Sequence, residues 1–207
     1  MKEVKFMIID IQKVIRESLR EGETYEGVNE ELRKLALMHM IRDFKGLSER
    51  LTLPSAMTRE EFYARYKAKT FTATEKQRLC EIIYDHKVGY LGEMSVHMSL
   101  KRDWHDVFKY NAINVKYNLQ DGEVHEGDAC LTFDVKTHHK DLCGLSIAAD
   151  RVRCDLYIVC HWIEARMHIL GYATRADVLS AHENQYKKLS IAPSALRPFS
   201  DFLQRFH

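Results

Sequence analysis

Asp121 and Asp134, with Lys136 two residues beyond the second aspartate, are the side chains of this sequence best arranged for chemistry. From Ala129 to Lys136 polar and apolar residues alternate, so that Cys130, Thr132, Asp134 and Lys136 fall on one face of a strand and Ala129, Leu131, Phe133 and Val135 on the other. Glu126-Gly127-Asp128-Ala129 supplies a turn just before this strand. A two-residue loop at Gly127-Asp128 pairs Glu126 with Ala129, Val124 with Leu131 and Asp121 with Asp134. Two directly opposed carboxylates repel each other unless a cation lies between them, and for oxygen ligands alone the matching cation is Mg2+. Lys136, on the same face, reaches whatever the metal holds. Asp128 is excluded as the partner by distance: six residues along a strand place it ~20 Å from Asp134, whereas ligands of one Mg2+ lie about 2.1 Å from the ion.

An acidic-x-Lys triplet alone singles out nothing, since it occurs four times, at Glu3, Asp43, Asp85 and Asp134. Only the Asp134 copy lies in a strand pattern with a carboxylate on the partner strand. The elements around it are readable. Thr74-x-x-Gln77 opens a long helix carrying Leu79, Ile82, Ile83, Tyr90, Met94 and Leu100. Within it, Gly89 and Gly92 each cost about 1 kcal/mol relative to alanine, which predicts close approach of another backbone and a place for Glu93 near the hairpin. Val107 to Asn118 reads as a strand, and Thr137-His138-His139-Lys140-Asp141 as a solvated polar stretch. Asp155 to Ile163 reads as a buried strand, paired with Arg166 to Ala173 across a Glu164-Ala165 turn, and Thr174-Arg175-Ala176-Asp177 as a helix start. This order implies a mixed α/β sheet flanked by helices.

The first ~70 residues read as helical. Val4, Met7, Ile8, Ile11, Val14, Ile15 and Leu19 keep a helical period up to Gly22, and Asn29 with Glu30 and Glu31 starts a second helix running to Gly46. Thr58-x-x-Glu61 is a capping box for a third, containing Phe62 and Tyr66. The chain is thus expected to divide into an N-terminal helical region, 1–73, and an α/β domain, 74–207.

Composition narrows the class. At 45% hydrophobic content the 207 residues can bury a proper core. No apolar run approaches the ~20 residues of a membrane helix, and no secretion signal is legible. Five widely spaced cysteines without a C-x-x-C pair point to a reducing, cytoplasmic setting and away from structural zinc. Cys143, Cys154 and Cys160 with His161 read as core packing, because Cys160 and His161 alternate across a strand; Trp104 and Trp162 read as core residues too. The net charge of +1 excludes a protein that holds nucleic acid by bulk charge alone.

A helix with Gly92-Glu93, a strand, a hairpin with Asp121 and Asp134-x-Lys136, then further strands resembles the PD-(D/E)xK nuclease superfamily, the restriction-endonuclease-like fold, over residues 74–180. Thr137 after the lysine and Gly171-Tyr172-Ala173-Thr174-Arg175 after a late strand are similar to phage and bacterial members. Gln120 stands where many members carry a proline. The resemblance implies Mg2+-dependent hydrolysis of DNA phosphodiesters, with Mn2+ able to substitute. Asp121, Asp134, the Val135 carbonyl and Glu93 would hold the metal, Lys136 would orient water or balance charge, and Lys140, Arg151, Arg153 and Arg175 are candidate phosphate contacts. A symmetric homodimer would supply the two active sites of double-strand cleavage. The alternative class is a catalytically silent nucleic-acid- or protein-binding module with solvated hairpin acids.

Overall fold

The computed structural model describes residues 6–108, 120–141 and 143–206. Within them a glycine turn organises the sheet that carries the motif. Gly127, at φ +59°, takes the first central position of a two-residue loop, a conformation cheap only for glycine. It joins β2 (Gly122–Glu126) to β3 (Ala129–His138), and the pairing is Glu126 with Ala129, Val124 with Leu131 and Gly122 with Phe133. This is the register that alternation predicts.

Chain contacts divide the molecule into two compact units, residues 1–22 with 88–207, and residues 23–87. The expected division at residue 73 instead falls at the start of a long helix, α5 (Ala73–Ser99), whose residues from Val88 onwards belong with the sheet. The first unit holds a five-stranded sheet in the order β1-β6-β5-β3-β2, where β1 is Met7–Ile9, β5 is Leu156–Ile163 and β6 is Arg166–Thr174. β3 and β5 are parallel and the other neighbours antiparallel, so the sheet is mixed. The sequence pattern assigned Met7 to Ile9 to a helix. They form an edge strand on β6, and the helical period begins only at α1 (Ile11–Glu17), which buries Ile11 and Ile15. Apolar residues at 4, 7, 8 and 11 satisfy a helical and a short-strand pattern alike, and pairing with a strand some 160 residues away decides between them.

One face of the sheet packs Phe133, Val135, Ile158, Cys160, Ile169 and Tyr172 against Val96 of α5 and against Phe199, Phe202 and Phe206 at the C-terminal helix. On the other face Tyr157, Val159, Leu170 and Ala173 meet Leu145 and Ile147. The latter two belong to β4 (Leu145–Ala148), which joins β8 (Lys188–Ile191) and β7 (His182–Glu183) in a second, three-stranded sheet. Each of its strands is short; a local signal is Asn184, whose side chain accepts from the Tyr186 and Lys188 N–H groups in the turn between β7 and β8. The β5–β6 hairpin turns at Glu164-Ala165 as expected, and Thr174 and Asp177 form a reciprocal capping box at the start of α6 (Arg175–Leu179). The C-terminal helix is α7 (Phe199–Arg205). Trp104 is buried, its indole N–H donating to Ser18 Oγ at 2.8 Å.

The second unit is helical. It comprises α2 (Tyr25–Arg42), α3 (Phe44–Leu51), α4 (Arg59–Ala68) and α5 as far as Lys87. Thr24 caps α2 five residues before the expected start, and Asp43, whose side chain accepts from the Gly46 N–H, ends that helix and begins α3. The Thr58/Glu61 capping box forms as the spacing predicts. α5, however, is capped by Thr72 and Glu75, not by Thr74 and Gln77: Glu75 accepts from the Thr72 N–H at 2.7 Å and its own N–H donates to Thr72 Oγ1 at 3.2 Å. Most of the expected strand from Val107 to Asn118 lies outside the described residues.

Candidate functional site: two aspartates, a lysine and a helix glutamate

Asp121 lies one residue beyond the last ladder pair, Gly122 with Phe133, where the regular register ends. Two hydrogen bonds hold it there: its N–H donates to the Phe133 carbonyl at 2.9 Å, and its Oδ2 accepts from the Val135 N–H at 2.7 Å. On β3 the Lys136 ammonium lies 2.6 Å from Asp134 Oδ1 and 2.5 Å from Oδ2. The side chains of Lys136 and Asp134 stay 37% and 19% exposed. Asp128 is an exposed turn residue.

Glu93 comes from α5, where it is buried at 8% exposure. Its placement depends on the residue before it. A Cβ on Gly92 would collide with Thr137 Oγ1 and stand 3.2 Å from Thr137 Cβ, so α5 and β3 touch at a point where only hydrogen fits. Gly89 has open space around the same position, so of the two glycines only Gly92 marks a close approach. Four residues after Glu93, on the same side of the helix, His97 is fully buried, with its Nε2 3.1 Å from the Asp121 carbonyl. That contact ties α5 to the start of β2. The i, i+4 spacing of Glu93 and His97 was its only trace in the sequence.

The electrostatics follow from this crowding. Burial, with the charges of Glu93 and Asp134 added, pushes the Asp121 carboxyl well above the ordinary range, against the opposing pull of Lys136 and the Val135 N–H. Burial disfavours the Lys136 ammonium, yet Asp134 and Asp121 outweigh it and raise its pKa. Cys154 is pushed up to about 12, by burial first and then by Asp134 and Asp121, so it stays a neutral thiol beside the carboxylates. Next to it, Asp155 Oδ2 accepts from the N–H and the hydroxyl of Thr132 at 2.9 and 2.8 Å, pinning the parallel strands β3 and β5 where the site opens.

Glu93, Asp121, Asp134 and Lys136 are thus brought together, with Val135 holding Asp121. Lys140, Arg151, Arg153 and Arg175 are all exposed. Arg153 adjoins Cys154 and donates its N–H to the Tyr157 hydroxyl at 2.8 Å; the Arg175 N–H donates to the Asp155 carbonyl at 2.7 Å. Both therefore stand at the edge of the site by their backbones. His138 is not in a solvated loop. β3 runs through it, and the pairing sets His138 beside His161 and His161 beside His168, a row of imidazoles past Lys136 on the same face. Burial lowers the pKa of His138 and His161, the neighbouring imidazoles adding to it. Cys160 lies in the core of the opposite face.

The candidate donors are oxygens, the kind a hard divalent cation takes, but they are not gathered into a ligand cluster. Asp134 and Asp121 act on the Lys136 ammonium, and Glu93 and Asp134 add to the burial that forces the Asp121 carboxyl toward its protonated form. As the side chains stand Lys136 takes Asp134, and among the described residues no three His, Cys, Asp or Glu form a group that could hold a metal. Among the described residues no helix is long and apolar enough to cross a membrane. No protein-family model, curated protein or solved structure matches the chain.

Proposed function

We propose that this protein is a Mg2+-dependent deoxyribonuclease of the PD-(D/E)xK type, hydrolysing DNA phosphodiester bonds in restriction, recombination or phage DNA processing. The observation that carries it is the crowding at Asp121, whose carboxyl feels the charges of Glu93 from α5 and of Asp134 and Lys136 from β3, with Lys136 paired to Asp134. Asp121, Asp134, the Val135 carbonyl and Glu93 would hold the cation. Bound there, Mg2+, or Mn2+ in its place, polarises a phosphate and lowers the pKa of a bound water. Lys136, released from Asp134, turns its ammonium to the phosphate and stabilises the charge that develops there. The Val135 N–H fixes which Asp121 oxygen faces away from the ladder. Arg153 and Arg175 hold the DNA backbone beside the site, with Lys140 and Arg151 further along. Two copies of the chain, each cutting one strand, would complete a double-strand break.

The test is incubation of the pure protein with supercoiled, linear and single-stranded DNA in Mg2+, in Mn2+ and in EDTA. Cleavage that EDTA stops is expected; no cleavage of any DNA form, together with no calorimetric metal binding, overturns the proposal. The Lys136–Asp134 ion pair favours a second reading, a catalytically silent binding module in which the lysine permanently replaces the metal. DNA binding without metal binding would select it.

A further inference from the structure

The helical unit contains a pocket of about 410 Å³ between α2, α4 and the start of α5. Leu37, Phe71, Leu79 and Ile83 give it an apolar lining, and Tyr63 and Tyr66 of α4 add two phenol rings. Lys67, Lys69 and Lys76 also line it. None of the lining residues is acidic, although residues 23–87 carry 11 Asp and Glu against 12 Lys and Arg. With Arg33, four of the unit's 12 cations and none of its 11 carboxylates line this pocket. The Lys67 ammonium already lies 4.5 Å over the Tyr63 ring, and Tyr63 is 43% exposed, which is unusual for an aromatic residue beside an apolar pocket.

We infer that this pocket binds single-stranded nucleic acid, taking a base against Tyr63 and Tyr66 and the flanking phosphates on Lys67, Lys69 and Lys76. Flat π faces beside a cluster of cations suit an alternation of bases and phosphates, and stacking of this kind tolerates any sequence. An aliphatic ligand would use the apolar lining but leave three ammonium groups unanswered, and an acidic peptide would use the ammonium groups but not the rings. The inference deepens the nuclease proposal and rests on its view of the chain as DNA-processing: the helical unit would grip a strand by itself, at a place other than the carboxylate site.

The experiment uses the full chain in EDTA, where metal-dependent cleavage cannot occur, and a fluorescent oligothymidylate of about 12 nucleotides, within the range of known single-strand sites. Anisotropy should show saturable binding that weakens as salt rises. Tyr63→Ala combined with Lys76→Glu, both exposed positions, should weaken it at least tenfold with the circular dichroism unchanged. Cys80, exposed and lining the pocket, should be alkylated more slowly in the unmodified chain when the oligonucleotide is present. Absence of binding, affinity unchanged in the double variant, alkylation of Cys80 undiminished at saturation, or competition by polyglutamate as strong as by the oligonucleotide would each overturn the inference. The two proposals fail separately. DNA cleavage that depends on Asp134, together with unaltered binding in the Tyr63 and Lys76 variant, removes the pocket and leaves the nuclease; binding in EDTA without cleavage in Mg2+ does the reverse.

Discussion

Gly92 of α5 lies directly against Thr137 of β3, and a methyl group at residue 92 has no room beside the threonine hydroxyl. The contact is what brings Glu93, the next residue, to the hairpin acids. Gly92→Ala should therefore destabilise the protein by about 2 kcal/mol, the usual cost of forcing a carbon into a packed contact, despite the better helix propensity of alanine. Thr137→Ala in the same chain removes the clashing hydroxyl and should restore most of the loss. Urea denaturation of the four members of this double-mutant cycle measures the coupling; additive effects would mean that the two backbones part without cost.

Asp121 makes stability depend on pH in a defined direction. Its pKa in the folded chain is raised above the unfolded value near 3.8, so the native state binds the extra proton and loses stability as pH rises from about 4 through the folded pKa. Asp121→Asn removes that penalty. In EDTA the variant should melt higher than the parent at neutral pH, with a gap that closes as the pH falls to 4. A parent that melts higher at pH 7 would show that the carboxylate is already compensated.

His97 acts in the opposite sense. Burial lowers its pKa, ahead of the opposing contribution of the Asp121 carbonyl. The folded chain thus resists a proton that the unfolded chain accepts, and stability drops as pH falls below about 6.5 toward the folded pKa. His97→Gln retains a donor for the Asp121 carbonyl but cannot titrate. Its melting temperature should change less than the parent's between pH 7 and pH 5.5; parallel pH profiles would assign the acid loss to other groups such as His161.

The hairpin register separates three carboxylates by role. Asp121→Ala and Asp134→Asn should both abolish cleavage, the latter leaving DNA affinity intact because it adds no negative charge near phosphate. Asp128→Ala should cleave like the parent and cost under 1 kcal/mol, as expected of an exposed turn residue. Lys136→Met should lower kcat by about 10²- to 10³-fold with little change in KM, the signature of a charge felt only in the transition state. Cleavage lost in Asp128→Ala and kept in Asp121→Ala is incompatible with the register that positions the site.

What the residues determined by themselves is local. The β2–β3 register follows from period-two alternation and a glycine turn, the boundaries at Thr58 and Thr174 from capping boxes closed within four residues, and the β5–β6 hairpin from apolar runs flanking a two-residue turn. The expected pairing of Asp121 with Asp134 is one step further along the same count, beyond the end of the ladder, and Asp121 is held there by Phe133 and Val135 instead. Tertiary structure decided what depended on distant partners. Met7–Ile9 is a strand because β6 offers it an edge. His138 stays in β3 because β5 runs parallel beside it. β4, β7 and β8 are too short to announce themselves and form by pairing with one another. His97 meets the Asp121 carbonyl across 24 residues, and Gly92 meets Thr137, only once α5 has packed on the sheet. A turn or a cap has its partners within a few residues and is written into the local pattern; a packed contact is chosen among many surfaces that the same pattern permits, and the burial of the whole core does the choosing.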